Sequence, residues 1–208
     1  MALRSLLALA GLLLTSAFSP IGVASAWAQA PSPGDALATY VSPSGASFRA
    51  DARLVPGLDV LRQLDDGRGL LDALGQGGVT VTLAAEPARV WAHYDTDARQ
   101  IVIDQSLAGR DPRTLAALLS HEAVHVRNTQ GTRGQSPTRA SGGGCYAEEV
   151  AAMQTELTVW QQLFGPGGKA PADHAYEREE NTALSRYLSA PDRYWDQVAA
   201  SYARVCGS

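Results

Sequence analysis

The apolar residues of this chain recur at two different spacings, which predict helices in some segments and strands in others. Leucines at helical spacing over residues 58–74 are interrupted by Asp66-Gly67, so we expect two short helices there, the second closed by Gly75. Over residues 79–83 apolar and polar side chains alternate, as they do in a half-buried strand. The first half of the chain therefore mixes helix and strand.

Two more strand-like segments, 90–94 and 100–104, lie on either side of the polar residues 95–98. Short apolar runs joined by a polar connection are typical of a β-hairpin. We therefore expect a small antiparallel sheet that contains this hairpin.

A longer helix follows, and it has a clear start. Asp111 is a good N-cap and Pro112 suits the first helical position, so we expect a helix to about Asn128. Its inward stripe consists of Leu115, Leu118 and Leu119. The same period places Glu122 and His125 on this stripe, with His121 at its edge.

The stripe thus turns abruptly polar at the pentapeptide His121-Glu122-Ala123-Val124-His125, an H-E-x-x-H motif. Residues i and i+4 share a helix face, so both imidazoles can bind one Zn²⁺ while Glu122 stands beside it. Burying these side chains unpaired would be costly, and a divalent cation is the simplest compensation. The alternative is a solvated helix face with two unrelated histidines, because the motif alone arises by chance in about 1% of such chains.

After residue 144 the pattern is helical almost to the end of the chain. One helix carries an apolar stripe at Val150, Met153, Leu157, Trp160 and Phe164. The segments 172–188 and 191–205 are also amphipathic. The predicted fold class is α+β: a small antiparallel sheet with a hairpin, packed on the motif helix and followed by a mostly helical C-terminal half.

The N-terminus has the features of a secretory signal peptide: Arg4, an apolar run over 6–18, and small residues up to Ala30. An uncleaved membrane anchor is the alternative, but this run is shorter than the roughly 20 residues that a spanning helix needs. Residues up to 48 are rich in Pro, Ser, Gly and Ala, with only Tyr40 and Val41 suited to a strand. We expect a signal peptide at 1–28 (cleaved there or at 30), an extended lead-in at 29–48, and one domain at 49–208 of an exported, periplasmic or extracellular protein.

Without that leader the chain keeps all 21 acidic residues and loses one of its 17 basic ones. This acidic balance argues against nucleic acid or an anionic membrane surface as a partner, because both are bound through excess Lys and Arg. The only two cysteines, Cys145 and Cys206, are expected to form an intramolecular disulfide in an oxidising compartment. A zinc–thiolate site is the weaker alternative, since the chain contains no C-x-x-C.

With its motif on a helix beside a predicted sheet, the chain resembles the zincin metallopeptidases over residues 93–164. The resemblance implies that His121 and His125 bind one Zn²⁺, that Glu122 is the general base, and that the substrate is a peptide or protein. In zincins the edge strand of the sheet lines the substrate cleft. Metzincins continue the motif with a glycine and a third histidine, but this chain has Asn128 and Gly131 there, which argues against that branch.

The gluzincin branch takes its third ligand from a following helix, as a glutamate in an E-x-x-A context, and both Glu148 and Glu149 match. On the predicted helix Glu149 lies within roughly 40° of Met153 in the buried stripe, whereas Glu148 lies on the opposite side. We therefore expect Glu149 to be the third ligand and Glu148 to belong to a solvated first turn. His174 is the alternative ligand, although its place at the start of a predicted helix favours a capping or surface role.

The function implied by the resemblance is zinc-dependent hydrolysis of peptide or amide bonds, with Glu122 taking a proton from the attacking water. Oxyanion support would come from a residue that spacing does not rank, among Tyr146, His174, Tyr176 and Tyr187. His93 and Asp104 on the predicted hairpin could line the cleft or support a ligand, although a solvated strand edge suits them as well. Two other hypotheses stay open: a zinc-stabilised binding domain without turnover, and a secreted helical domain with an accidental motif.

Overall fold

The computed structural model describes residues 37–130 and 143–202. The expected signal peptide at 1–28 and Cys206 lie outside the described residues, so export, cleavage and the disulfide stay predictions, as do the domain boundaries. Within the described residues, no helix is both long enough and apolar enough to cross a membrane.

Five strands of the described chain form one sheet. They are β1 (Leu37–Val41), β2 (Ser47–Asp51), β3 (Thr80–Ala84), β4 (Ala92–Asp95) and β5 (Gln100–Asp104), in the spatial order β1-β2-β3-β5-β4. The pairs β1/β2 and β4/β5 are antiparallel, whereas β2/β3 and β3/β5 are parallel. The sheet is therefore mixed, with β1 and β4 at its edges.

The helices are α1 (Val55–Arg62), α2 (Asp65–Gly77), α3 (Pro112–Thr129), α4 (Gly143–Phe164), α5 (Ala175–Ser189) and α6 (Pro191–Tyr202). The α+β class with a helical C-terminal half is confirmed. Both short leucine-rich helices are present, but the second runs on past Gly75 to Gly77. Its C-cap is Gly78, whose positive φ of 60° suits glycine. The predicted hairpin is also present as β4 and β5.

One expectation about the sheet was wrong. The sheet is not purely antiparallel, because α1 and α2 lie between β2 and β3 and return the chain to the same end, which makes those strands parallel. Residues 37–41 belong to the sheet, although only Tyr40 and Val41 were expected to suit a strand. They form β1, and the Tyr40 ring packs on Phe48 of β2 with ring centroids 5.2 Å apart.

The core holds α3 between the sheet and the C-terminal helices. Val81, Ile101 and Ile103 on the inner face of the sheet are fully buried, and α3 packs on α1, α2 and α4. A Cβ at Gly57 would lie 2.7 Å from Cβ of Leu115, so this close approach of α1 to α3 needs glycine. The motif helix is thus fixed along its length before it reaches the polar residues.

Candidate metal centre

Helix α3 begins as the sequence predicts and carries both motif histidines on one face. The Asp111 side chain accepts a hydrogen bond from the backbone N–H of Arg113, which caps the helix. The imidazoles of His121 and His125 lie side by side with ring centroids 5.0 Å apart. Their side chains are only 15% and 11% exposed, so both rings are held largely inside the protein.

Helix α4 brings Glu149 against this pair of rings. One carboxylate oxygen lies 3.8 Å from Nε2 of His121, and the other lies 3.8 Å from Nε2 of His125. Each of the three residues offers a ligand atom within 4.8 Å of the other two. The two histidines and the glutamate that the sequence singles out are therefore close enough to bind one metal ion.

Two further glutamates of α4 hold the opposite nitrogens of the same rings. The Nδ1 of His121 lies 2.9 Å from Oε2 of Glu156, and the Nδ1 of His125 lies 2.9 Å from Oε1 of Glu148. A carboxylate can only accept a hydrogen bond, so Nδ1 must carry the proton in each ring. In the neutral imidazoles the Nε2 lone pairs then face Glu149, as two metal-binding histidines require.

Glu148 contradicts the expectation of a solvated first turn, because its side chain is only 12% exposed and contacts His125. The helix wheel separates Glu148 from Glu149, but the start of α4 lies directly beside His125. From there a long glutamate side chain can reach around to the imidazole. Glu148 and Glu156 are called the supporting carboxylates below.

The site is electrostatically unusual because carboxylates outnumber the imidazoles. Burial lowers the pKa of His121, but hydrogen bonding to Glu156 and the charges of Glu156, Glu122 and Glu149 outweigh this and raise it to about 10. Burial, followed by the charge of Glu156, raises the pKa of Glu180. A bound divalent cation would balance part of this negative charge.

Glu122 lies between the two histidines in the sequence, and its side chain is buried. It is not one of the three convergent ligand residues. Burial raises the pKa of its carboxyl, with His121 and His125 opposing the increase. Its Oε2 atom is buried without a hydrogen-bond partner in the described part of the chain. A carboxylate with one oxygen left unsatisfied is suited to accept a proton from a molecule that enters the site.

His174, the alternative ligand, lies elsewhere and has another task. Its Nδ1 accepts a hydrogen bond from the backbone N–H of Tyr176 and so caps α5, while its Nε2 lies 3.1 Å from the Ser106 hydroxyl. The ring also packs edge-on against Trp91. The capping role that the sequence favours is confirmed for His174.

The other oxyanion candidates are also engaged away from the three ligands. The Tyr176 hydroxyl donates to Glu156, the Tyr146 hydroxyl contacts the Trp195 carbonyl at 3.5 Å, and the Tyr187 ring packs on Tyr194 and Trp195. The phenol that faces the third ligand is Tyr202 at the end of α6, which was not among the expected oxyanion candidates. Burial and then the charge of Glu149 raise the pKa of Tyr202.

The two hairpin candidates differ from each other. His93 lies on the edge strand β4 with its Nδ1 3.2 Å from Glu86, and this hydrogen bond raises the pKa of His93. The charge of Glu122 adds to that increase, so His93 and Glu122 interact across the space between β4 and α3. Asp104 instead accepts hydrogen bonds from the backbone N–H groups of Glu86 and Ser106 and stabilises the local turn.

Comparison of the chain with protein-family models, with curated proteins and with solved structures gave no match.

Proposed function

We propose that this chain is a zinc-dependent hydrolase of peptide or amide bonds, of the zincin kind that its motif resembles. The observation that carries the proposal is the convergence of His121, His125 and Glu149 on one point, with each imidazole held at Nδ1 by its own carboxylate. Two neutral imidazoles and a carboxylate are a typical donor set for catalytic zinc. The residues present therefore fit the metal.

When bound, zinc supplies Lewis-acid activation of water and of the substrate carbonyl. The protein's part begins with the supporting carboxylates, which fix both imidazole rings and leave Nε2 free. Glu122 then accepts the proton of the attacking water and delivers it to the departing amine. The raised pKa of Glu122 suits this exchange, because a general base works best when its pKa lies near the working pH.

A peptide is the favoured substrate because of the strand beside the site. β4 is an edge strand that pairs with β5 on one side only, and it packs against α3. Its remaining backbone N–H and C=O groups can pair with an extended peptide, as edge strands do in β-augmentation. A peptide that paired with β4 in this way would run alongside the helix that carries Glu122.

The test compares three purified proteins: wild type, Glu122→Gln and Glu179→Gln. Glu179 is a matched control because its carboxylate accepts from the Trp91 indole at 2.9 Å and is outside the convergent set. We expect one zinc per chain in all three, measured by metal analysis. Cleavage of a mixed peptide library should fall about 10²- to 10⁴-fold in Glu122→Gln alone.

Two outcomes would overturn the proposal in different ways. Absence of stoichiometric zinc from the wild type would leave the motif accidental. Zinc in all three proteins without any cleavage that depends on Glu122 would make the chain a zinc-stabilised binding domain.

A further inference from the structure

We propose that Tyr176 on α5 is a positioning residue for the metal centre, acting through Glu156 to hold the His121 imidazole in its ligating orientation. This inference rests on the metal binding of the proposed function and extends it to a residue that is not itself a ligand. It also assigns a purpose to the first turn of α5, which packs beside the site without contributing a ligand.

The contacts form a short chain of hydrogen bonds. The Tyr176 hydroxyl donates to Oε1 of Glu156, and the other oxygen of the same carboxylate lies 2.9 Å from Nδ1 of His121. Tyr176 is 2% exposed and Glu156 is 6% exposed, so water has little access to either group. Each oxygen of Glu156 is thus assigned to one donor, which fixes the carboxylate in one plane.

This arrangement matters because a lone glutamate side chain has three rotatable bonds. A carboxylate bound only to an imidazole could turn with it, and the ring would not be fixed by that contact. With Tyr176 anchoring the second oxygen, the Nδ1–H of His121 has one direction in which to donate, and Nε2 is aimed at Glu149. His125 is supported differently, since Glu148 is at the start of α4 and Tyr176 does not contact it.

Tyr176 can serve as an anchor because its surroundings hold it on three sides. Its ring packs on Trp160 with centroids 5.8 Å apart and on Trp91 with centroids 6.2 Å apart. The next residue, Glu177, accepts hydrogen bonds from the Thr114 hydroxyl of α3 at 3.3 Å and from the backbone N–H of His174 at 3.0 Å. The first turn of α5 is therefore tied to α3, to α4 and to the segment that leads into β4.

The decisive variant is Tyr176→Phe, because it removes one hydroxyl without changing any charge. We expect its zinc affinity, measured by competition with a chromogenic chelator, to fall about 3- to 10-fold, the effect of losing one hydrogen bond. Glu156→Gln should lose about 10- to 100-fold. In the double variant, Tyr176→Phe should add nothing further, since its effect passes through Glu156.

Tyr187→Phe is the matched control. It removes a hydroxyl from the same helix, and its ring packs on Tyr194 and Trp195, so its zinc affinity should equal that of the wild type. A spectroscopic measurement separates positioning from general stability. In the zinc-loaded protein, the Nδ1 proton of His121, observed by NMR, should exchange with water faster in Tyr176→Phe and unchanged in Tyr187→Phe.

Equal zinc affinity and equal proton exchange in wild type and Tyr176→Phe would overturn the inference, as would additive losses in the double variant. A wild type that binds no zinc would instead overturn the proposed function on which the inference rests. Because zinc affinity is measured without a substrate, the inference is tested whether or not a cleavable peptide has been found.

Discussion

His174 and the motif pair His121 and His125 lie in two different regions of the molecule, and the contrast between them shows what suits an imidazole to bind a metal ion. In His121 and His125, Nδ1 faces a carboxylate and Nε2 faces Glu149. In His174, Nδ1 accepts a backbone N–H and Nε2 meets the Ser106 hydroxyl. The residue type is the same, but the nitrogen that keeps a free lone pair is decided by its neighbours.

The same contrast appears in the charge state of the rings. Burial lowers the pKa of His121, but the carboxylates around this ring raise it to about 10, so zinc competes with a proton for the imidazole. Burial and then the positive charge of Arg110 lower the pKa of His174, which keeps that ring neutral and its capping lone pair available. The surroundings of His121 thus favour the protonated ring, whereas those of His174 favour the neutral ring.

The largest expected effect comes from making the same histidine-to-asparagine substitution in both regions and comparing the zinc affinities. We expect His125→Asn to weaken zinc binding by more than about 100-fold, because losing a ligand should exceed the 10- to 100-fold effect of losing a ligand's support. His174→Asn should leave zinc affinity unchanged, since asparagine is also a good N-cap and preserves the start of α5. Chelator competition on both proteins gives the two values. Similar losses at the two positions would mean that the motif pair is not a metal site.

Some residues of this site could be predicted from the sequence, and others could not. The shared face of the H-E-x-x-H motif follows from helical periodicity. Glu149 was suggested by the resemblance to gluzincins, and the helix periodicity only chose it over Glu148. Glu156 lies seven residues after Glu149, two helical turns away on the same face, so a signal for it exists in the sequence. Glu148 and Tyr176 have no such signal, because their contacts depend on how α3, α4 and α5 cross.

The fold, too, could be predicted from the sequence only in part. Periodicity and caps locate the helices, because these are local properties of the chain. The direction in which strands pair is set by the connections between them, and the two helices between β2 and β3 are what makes that pair parallel. Only Tyr40 and Val41 of the β1 edge strand were expected to suit a strand, because the composition around them resembles a loop. The strand is stabilised by pairing with β2 and by the contact of Tyr40 with Phe48.

A second pair of matched variants compares a supporting carboxylate with a carboxylate outside the site. Glu148→Gln should weaken zinc binding about 10- to 100-fold, because an amide replaces the charged acceptor of the His125 Nδ1–H. Glu179→Gln makes the same chemical change beside Trp91, where an amide oxygen can still accept the indole N–H, and we expect no change in zinc affinity. Isothermal titration of zinc into both metal-free proteins provides the measurement. Equal affinities would show that Glu148 contacts His125 without supporting it.

The smallest expected effect concerns the pH dependence of stability at His174, best measured in a His125→Asn background so that zinc binding does not contribute. The folded-state pKa of His174 is lowered, so its cap stabilises the protein above the unfolded-state pKa of about 6.5 and is lost as pH falls through the folded-state pKa. In urea unfolding near pH 7.5, His174→Ala should cost about 1 kcal/mol and His174→Asn almost nothing. At about pH 5 the protein that keeps His174 should become less stable than the His174→Asn variant, because the asparagine amide does not titrate in this range and still caps α5. A stability difference between these two proteins that stays constant from pH 7.5 to pH 5 would contradict a capping role that depends on the neutral ring.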